Sequence, residues 1–320
     1  MVEDQDANIF SPLYADISDE NQFPNKQPYL AHYTSLDVLE KIVLNDEVWF
    51  SNPLFMNDKE ELKFGIINGA QKFKESEEIK AALGSAERHG IFVSAFDHYV
   101  NEFDEKHLLD TYVFCLSEHN KDDDDGRLSM WRGYGQNGNG VAIVLDSSNF
   151  DVIPDSPLII SKVLYGSVED RMLWFDKTAS VAAQIISEHD FSDTMLYLPA
   201  WALFERLKLF ALFTKHHGFE EENEWRIVYL SDRDKQNKLT SMLHYCNGPR
   251  GIEPKLKLKI VPNNGIPSPD FSINKIVSSI ILGPTTKSIL TLRSVERMLE
   301  VVGKSELKDR LVSSSIPFRL

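Results

Sequence analysis

The residues best placed by type and spacing to do chemistry lie between Phe219 and Leu230, in the run F-E-E-E-N-E-W-R-I-V-Y-L. Carboxylates lead directly into Trp225, Ile227, Val228 and Tyr229, the aromatic and β-branched types that favour strands. A strand's period of two predicts Glu222, Glu224 and Arg226 on one face and Trp225, Ile227 and Tyr229 on the other. An acid at the mouth of a buried strand must be solvated, paired or used. The plain alternative is a solvated entrance at which Arg226 neutralises a neighbour. Glu224 lies deeper in the apolar run than Glu222, so desolvation raises its pKa while Arg226 opposes the shift.

Other candidates carry less. His216-His217 are adjacent and point in different directions, and no Cys or Asp/Glu partner stands at ligand spacing, so no metal site is expected. They read instead as helix-end histidines. Asp122 to Asp125 suggest calcium, but placing Gly126 sixth in a loop would put Lys121 first and Arg132 twelfth. A solvated acidic loop is expected there. Gly133 to Gly138 fit G-x-G-x-x-G, yet the glycines precede a strand, Gly140 to Leu145, where a dinucleotide fingerprint needs a helix. They read as a turn that lets Trp131 and Tyr134 pack or rim a cleft. Cys115 sits in an apolar run and reads as a small core residue.

The elements that must position these residues follow from periodicity. Residues 1–28 are polar, with three prolines, and read as an arm lying on the surface or partly disordered. Tyr29 to Thr34 reads as a strand, Leu36 to Leu44 as a helix capped by Ser35, and Val48 to Ser51 as a second strand. A long helical region runs from Asn57-Asp58 past Lys80, and residues 86–108 read as further helix. Strands are expected at 112–117, 140–145, 158–165, 224–230 and 276–282, and helices at 168–189, at 196–217 with Gly218 closing it, and at 290–302. Lys255 to Ile260 alternates strictly, as in an edge strand guarded by lysines. The expectation is a single α+β domain over 29–320, a mixed, twisted, split sheet with helical insertions near 58–108 and 168–217.

Charge and composition bound the function. The 320 residues carry a net charge of −15 and a pI near 5.1, which disfavours phosphate backbones and anionic membranes. Nucleic acid is therefore an unlikely partner, and no apolar run is long enough to span a bilayer. Two cysteines exclude a disulfide framework, and the acidic start M-V-E-D-Q-D lacks a signal-peptide pattern, so a cytoplasmic location is expected.

Several stretches together resemble the bacterial domain-of-unknown-function family numbered 2971. They are H-Y-T-S at 32–35, W-F-S-N-P-L-F-M-N-D at 49–58, C-L-S-E at 115–118, M-W-R-G-Y-G at 130–135 and E-N-E-W-R at 222–226. I-L-G-P at 281–284 and a closing S-x-I-P-F-R complete the set. A weaker resemblance links H-Y-T, the following helix and V-W-F-S to ADP-ribosyltransferases of the His–Tyr–Glu type. N-E-W-R-I-V-Y is similar to the last strand of their poly(ADP-ribose) polymerase branch.

That resemblance implies NAD as cosubstrate and ADP-ribose transfer to an unknown macromolecular acceptor or to water. It implies catalytic roles for Glu224, on the nicotinamide ribose, and for Glu222, orienting an acceptor or water. His32 would bind the adenosine-side ribose and Trp49 would stand beside nicotinamide, with Tyr33, Thr34, Ser51, Tyr134 and Arg226 as further contacts. Two departures stand out: Tyr33 replaces the glycine after the histidine, and Trp49 replaces a tyrosine. The alternative is a non-catalytic, ligand- or partner-sensing module of the same fold.

Overall fold

The computed structural model describes residues 9–17, 22–57, 59–150, 153, 155–248, 251–262, 271–286 and 288–318. In chain order they form β1 (Tyr29–Thr34), α1 (Leu36–Asn45), β2 (Glu47–Ser51), α2 (Lys59–Glu75), α3 (Glu77–Leu83), α4 (Ala86–Glu102) and β3 (Thr111–His119). Next come α5 (Leu128–Gly133), β4 (Val141–Asp146), β5 (Leu158–Lys162), β6 (Leu164–Gly166), α6 (Val168–Glu188), α7 (Tyr197–Phe213), β7 (Thr214–His216) and β8 (Glu224–Leu230). The chain continues through β9 (Leu243–Gly248), β10 (Gly251–Lys259), β11 (Val277–Leu282), α8 (Ile289–Val301) and β12 (Leu311–Ser313). This is an α+β chain, and contacts divide it into two units, each assembled from three separated segments.

The sheet unit comprises 23–52, 112–162 and 220–320. Its strands run β12–β11–β4–β1–β3–β2–β10–β9, with β8 pairing both β3 and β5. The expected strands 29–34, 48–51, 112–117, 140–145 and 224–230 all belong to this one sheet, as β1, β2, β3, β4 and β8. Pairing is mostly antiparallel, and β11 with β12 is parallel. One face carries the main core, in which Leu30, Phe50, Phe114, Ile143, Trp225 and Ile227 meet. Helix α1 packs Leu39, Ile42 and Val43 into that core; the Ser35 hydroxyl caps it by accepting from the Val38 amide. The opposite face holds a smaller cluster of Ala31, Tyr33, Trp131, Ala142, Val144 and Ile281. Strand β10 lies between β2 and β9, so its lysines do not guard an edge; β9 is the outer strand.

The helical unit comprises 1–22, 53–111 and 163–219. Its core is aromatic, with Phe73, Phe92, Phe96, Phe175 and Phe204 among its buried residues. Helices α2 and α7 approach closely because Gly65 and Gly69 have no side chain. A Cβ on Gly65 would stand 2.6 Å from that of Ala211, and one on Gly69 would meet Leu207 and Phe175. The long helical region breaks at Ser76, whose hydroxyl caps α3. Helix α7 stops at Phe213 and gives way to β7, four residues before the expected closure at His217. The expected strand 158–165 is interrupted at Val163 and continues as β6, which pairs β7. The arm expected on the surface buries Phe10 and Leu13; the Arg206 guanidinium donates to the Leu13 carbonyl at 2.9 Å and grips Asp16.

Candidate functional site

Strand β8 is buried along its whole length. Trp225, Ile227 and Tyr229 enter the main core, as the alternation predicts, and Glu224 and Arg226 turn to the other face at 4% exposure each. They are bound to each other: the Arg226 Nε and Nη2 donate to the two Glu224 carboxylate oxygens at 2.9 and 3.0 Å. This two-point geometry is the strong form of an arginine–carboxylate pair. Glu222 does not share that strand face. It closes a 3-10 turn, and Asn223, at φ 43°, breaks the alternation before β8 begins. The turn is pinned to β3, where the Ser117 hydroxyl donates to the Glu222 carbonyl at 2.6 Å and the Glu118 amide to Asn223 at 2.8 Å. The Glu222 carboxylate accepts from the Tyr134 hydroxyl at 2.8 Å, so these two expected site residues do meet.

Trp49 and Ser51 alternate on β2 with Val48 and Phe50, which enter the main core, and so lie on the opposite side of the sheet. The Trp49 indole donates to Glu47 at 2.8 Å, and the Lys257 ammonium stands 4.0 Å from its ring centre. The Lys255 ammonium donates to Ser51 at 3.0 Å and to Glu253 at 3.1 Å. Lys259 pairs with Glu47 at 2.8 Å. Burial would raise the Glu47 pKa, but Lys259 and Trp49 bring it below the ordinary value. The β10 lysines are therefore partners of a polar sheet face that bears Trp49, Ser51, Glu224 and Arg226.

His32 lies on the other side. β1 pairs with β3 from Tyr29↔His119 to Ala31↔Ser117, and just beyond the last pair the His32 Nδ1 lies 3.2 Å from the Cys115 carbonyl oxygen. Its ring packs 4.6 Å from that of Phe114, against the main core. Desolvation lowers its pKa, opposed by the Cys115 hydrogen bond, so the imidazole is neutral at pH 7. Thr34 follows the same alternation. Tyr33 faces the smaller cluster, edge-on to Trp131 at 4.9 Å, and its hydroxyl accepts from the Arg127 amide at 2.8 Å. Burial pushes the Tyr33 pKa up to about 12.

Thus Trp49, Ser51, Glu224 and Arg226 come to one sheet face, Glu222 and Tyr134 meet beside the β8 entrance, and His32 and Tyr33 are built into separate cores.

The glycine-rich turn has a packing role. The glycines follow α5 and precede β4; Gly135 leaves room for the Trp131 ring, and a Cβ on Gly140 would run into the Thr34 carbonyl oxygen. Trp131 is fully buried and its indole donates to the Asp125 carbonyl at 2.8 Å, while Tyr134 stays exposed. The acidic loop is more than solvated: Asp123 accepts from the amides of Asp125 and Gly126, and the Asp125 carboxylate accepts from the Ser315 amide and hydroxyl. The Ser315 amide holds the Asp125 carboxyl below its ordinary pKa. Among the described residues, no group of three or more His, Cys, Asp or Glu could hold a metal ion. No helix among them is long and apolar enough to cross a membrane.

Two features went unassigned in the sequence. Glu118, the acid of C-L-S-E, accepts from Lys162 at 2.7 Å and from Lys26 and the Trp225 indole at 3.0 Å. Burial alone would raise its pKa, but these donors hold it at about 2. The second is a cleft of about 510 Å³, open to solvent on one side, that runs along the main core of the sheet unit. Phe50, Phe114, Leu145 and Ile227 line it from the sheet, and Phe23, Phe150, Phe271 and Ile276 also line it. Only an apolar strand face hints at it in the sequence.

A family model described as a protein of unknown function, DUF2971, matches residues 130–227. The match takes in Trp131, Tyr134, Glu222, Glu224 and Arg226, and stops short of His32, Tyr33, Thr34, Trp49 and Ser51. No curated protein and no solved structure matches the chain.

Proposed function

We propose that the sheet unit is a non-catalytic, ligand-sensing module. The observation that carries this reading is the 510 Å³ cleft along the main core. Small-molecule sites are clefts or cavities of about 300–1,000 Å³ that are mostly apolar with a few polar groups, and this cleft has that size and lining. The expected catalytic set gives less support to an enzyme. Glu224 is engaged by Arg226 in a two-point pair, and His32 is turned into the core against Phe114. An apolar fluorescent dye should bind the wild-type chain with saturable enhancement, and Ile227→Trp, which fills the cleft from β8, should abolish that binding. A wild-type protein that binds no dye, and shows no melting shift with any apolar probe, would remove this reading.

A second reading keeps one specific support. Trp49, Ser51, Glu224 and Arg226 share a sheet face, and an aromatic side chain and a fixed carboxylate are the two parts that binding nicotinamide and stabilising an oxocarbenium-like ribose require. On that reading the chain is an ADP-ribosyltransferase-like α+β protein that cleaves NAD and passes ADP-ribose to an acceptor or to water. Its measurement is nicotinamide release. The wild type should turn over NAD and a folded Glu224→Gln should be slower by about two orders of magnitude or more. Absence of nicotinamide release with wild-type protein leaves the sensing module as the reading.

A further inference from the structure

We infer that the cleft takes a neutral amphiphile, an aliphatic chain or fused apolar rings ending in one uncharged group that both donates and accepts hydrogen bonds. This rests on the sensing-module reading and specifies its ligand. The sheet wall of the cleft is wholly hydrocarbon and aromatic: Val48, Phe50, Phe114, Leu145 and Leu258 offer no side-chain hydrogen-bonding atom. A charged group among them would be left without a partner, at a cost far above that of a hydroxyl or amide.

Among the described lining residues, the polar or charged side chains are those of Asp155, Ser156 and Arg233. Asp155 and Arg233 are exposed, unlike the wall residues, and so mark the rim. These are the two charged side chains among the described lining residues, and because their charges are opposite they supply no net sign with which to select an anion or a cation. The chain as a whole, at −15, repels anions. The rim carries a carboxylate acceptor, a guanidinium donor and the Ser156 hydroxyl, which accepts from the Leu158 amide at 3.1 Å and still has a proton to donate. A ligand end such as an alcohol or a primary amide uses all three without carrying charge into the cleft.

The test uses the full chain and four ten-carbon probes, decan-1-ol, decanamide, decanoate and decylamine, each titrated against bound apolar dye. Decan-1-ol and decanamide should displace the dye at concentrations about tenfold or more below those needed for either ion. Lengthening the alcohol from eight to ten carbons should tighten displacement about fourfold per methylene. Two rim variants check the charge balance. Arg233→Gln leaves the acid and should shift preference toward decylamine; Asp155→Asn leaves the guanidinium and should shift it toward decanoate. Asn suits the left-handed conformation at position 155, where φ is 54°, so this variant should keep the fold.

Decanoate or decylamine binding as tightly as the alcohol to wild-type protein would overturn the neutral-ligand inference while leaving the sensing module intact. Rim variants with an unchanged probe ranking would overturn the assigned role of Asp155 and Arg233. Failure of the dye itself to bind would remove the module reading beneath both.

Discussion

Glu224 and Arg226 have almost no access to water and are bound to each other at two points. Breaking a buried ion pair by removing one member costs about 3–5 kcal/mol, whereas replacing both by apolar residues of similar volume is often near neutral. Arg226→Met should therefore lower the denaturation midpoint sharply, and Arg226→Met with Glu224→Leu should recover much of it; urea denaturation of the three proteins measures this. Glu118 gives a pH signature. Its folded pKa of about 2 lies below the ordinary 4.5, so the unfolded chain binds the extra proton first as acid is added. The stability it contributes is present above pH 4.5 and is lost as pH falls toward 2. Glu118→Gln should flatten that part of the stability curve. His32 has its pKa lowered by burial, so its contribution holds above the ordinary 6.5 and falls as the medium becomes more acid. The alternation of Trp225, Ile227 and Tyr229 was legible in the sequence because a strand's period admits one partition. The place of Glu222 was not, because Asn223 adopts a left-handed conformation that asparagine tolerates without requiring.

At the scale of elements, caps and breaks carried most of what could be read. Ser35 with the helix after it, and β8 itself, stand where periodicity puts them, because local chemistry and burial agree there. The end of α7 was hidden because Phe213, Thr214 and Lys215 continue a buried stretch, and burial alone does not distinguish helix from strand. The β10 lysines misled for a related reason: alternation shows a half-polar face but not whether another strand lies alongside, and here β9 does. Gly69 and Gly140 are two positions where neighbouring segments approach closely. Gly69→Val would drive a branched side chain into Leu207 and Phe175, and Gly140→Ala would push β4 off the Thr34 carbonyl. Each should cost about 1–3 kcal/mol, the usual range for overpacking, read as a lower melting temperature. Tyr33→Phe removes the hydroxyl that accepts from the Arg127 amide and should cost about 1–3 kcal/mol if that amide stays dry.

Each whole unit is woven from three lengths of chain, and neither could be delimited by composition, since nothing at residues 52–53 or 162–163 reads as a linker. Residues 53–111 without 163–219 lack the helices that bury Phe73 and Phe96, so the isolated 53–111 peptide should give a weak helical circular dichroism signal and no cooperative melt. The clamp between Asp125 and Ser315 has a consequence in time. The two residues are 190 positions apart, and the ribosome adds about 5–20 residues per second, so roughly 10–40 s separate the synthesis of one partner from the other. Throughout that interval the acidic loop, with Tyr33 and Trp131 beneath it, waits without the segment that ties it down. A nascent chain stalled before residue 311 should therefore be cut by protease in the loop at 120–127, and one extended past 318 should resist.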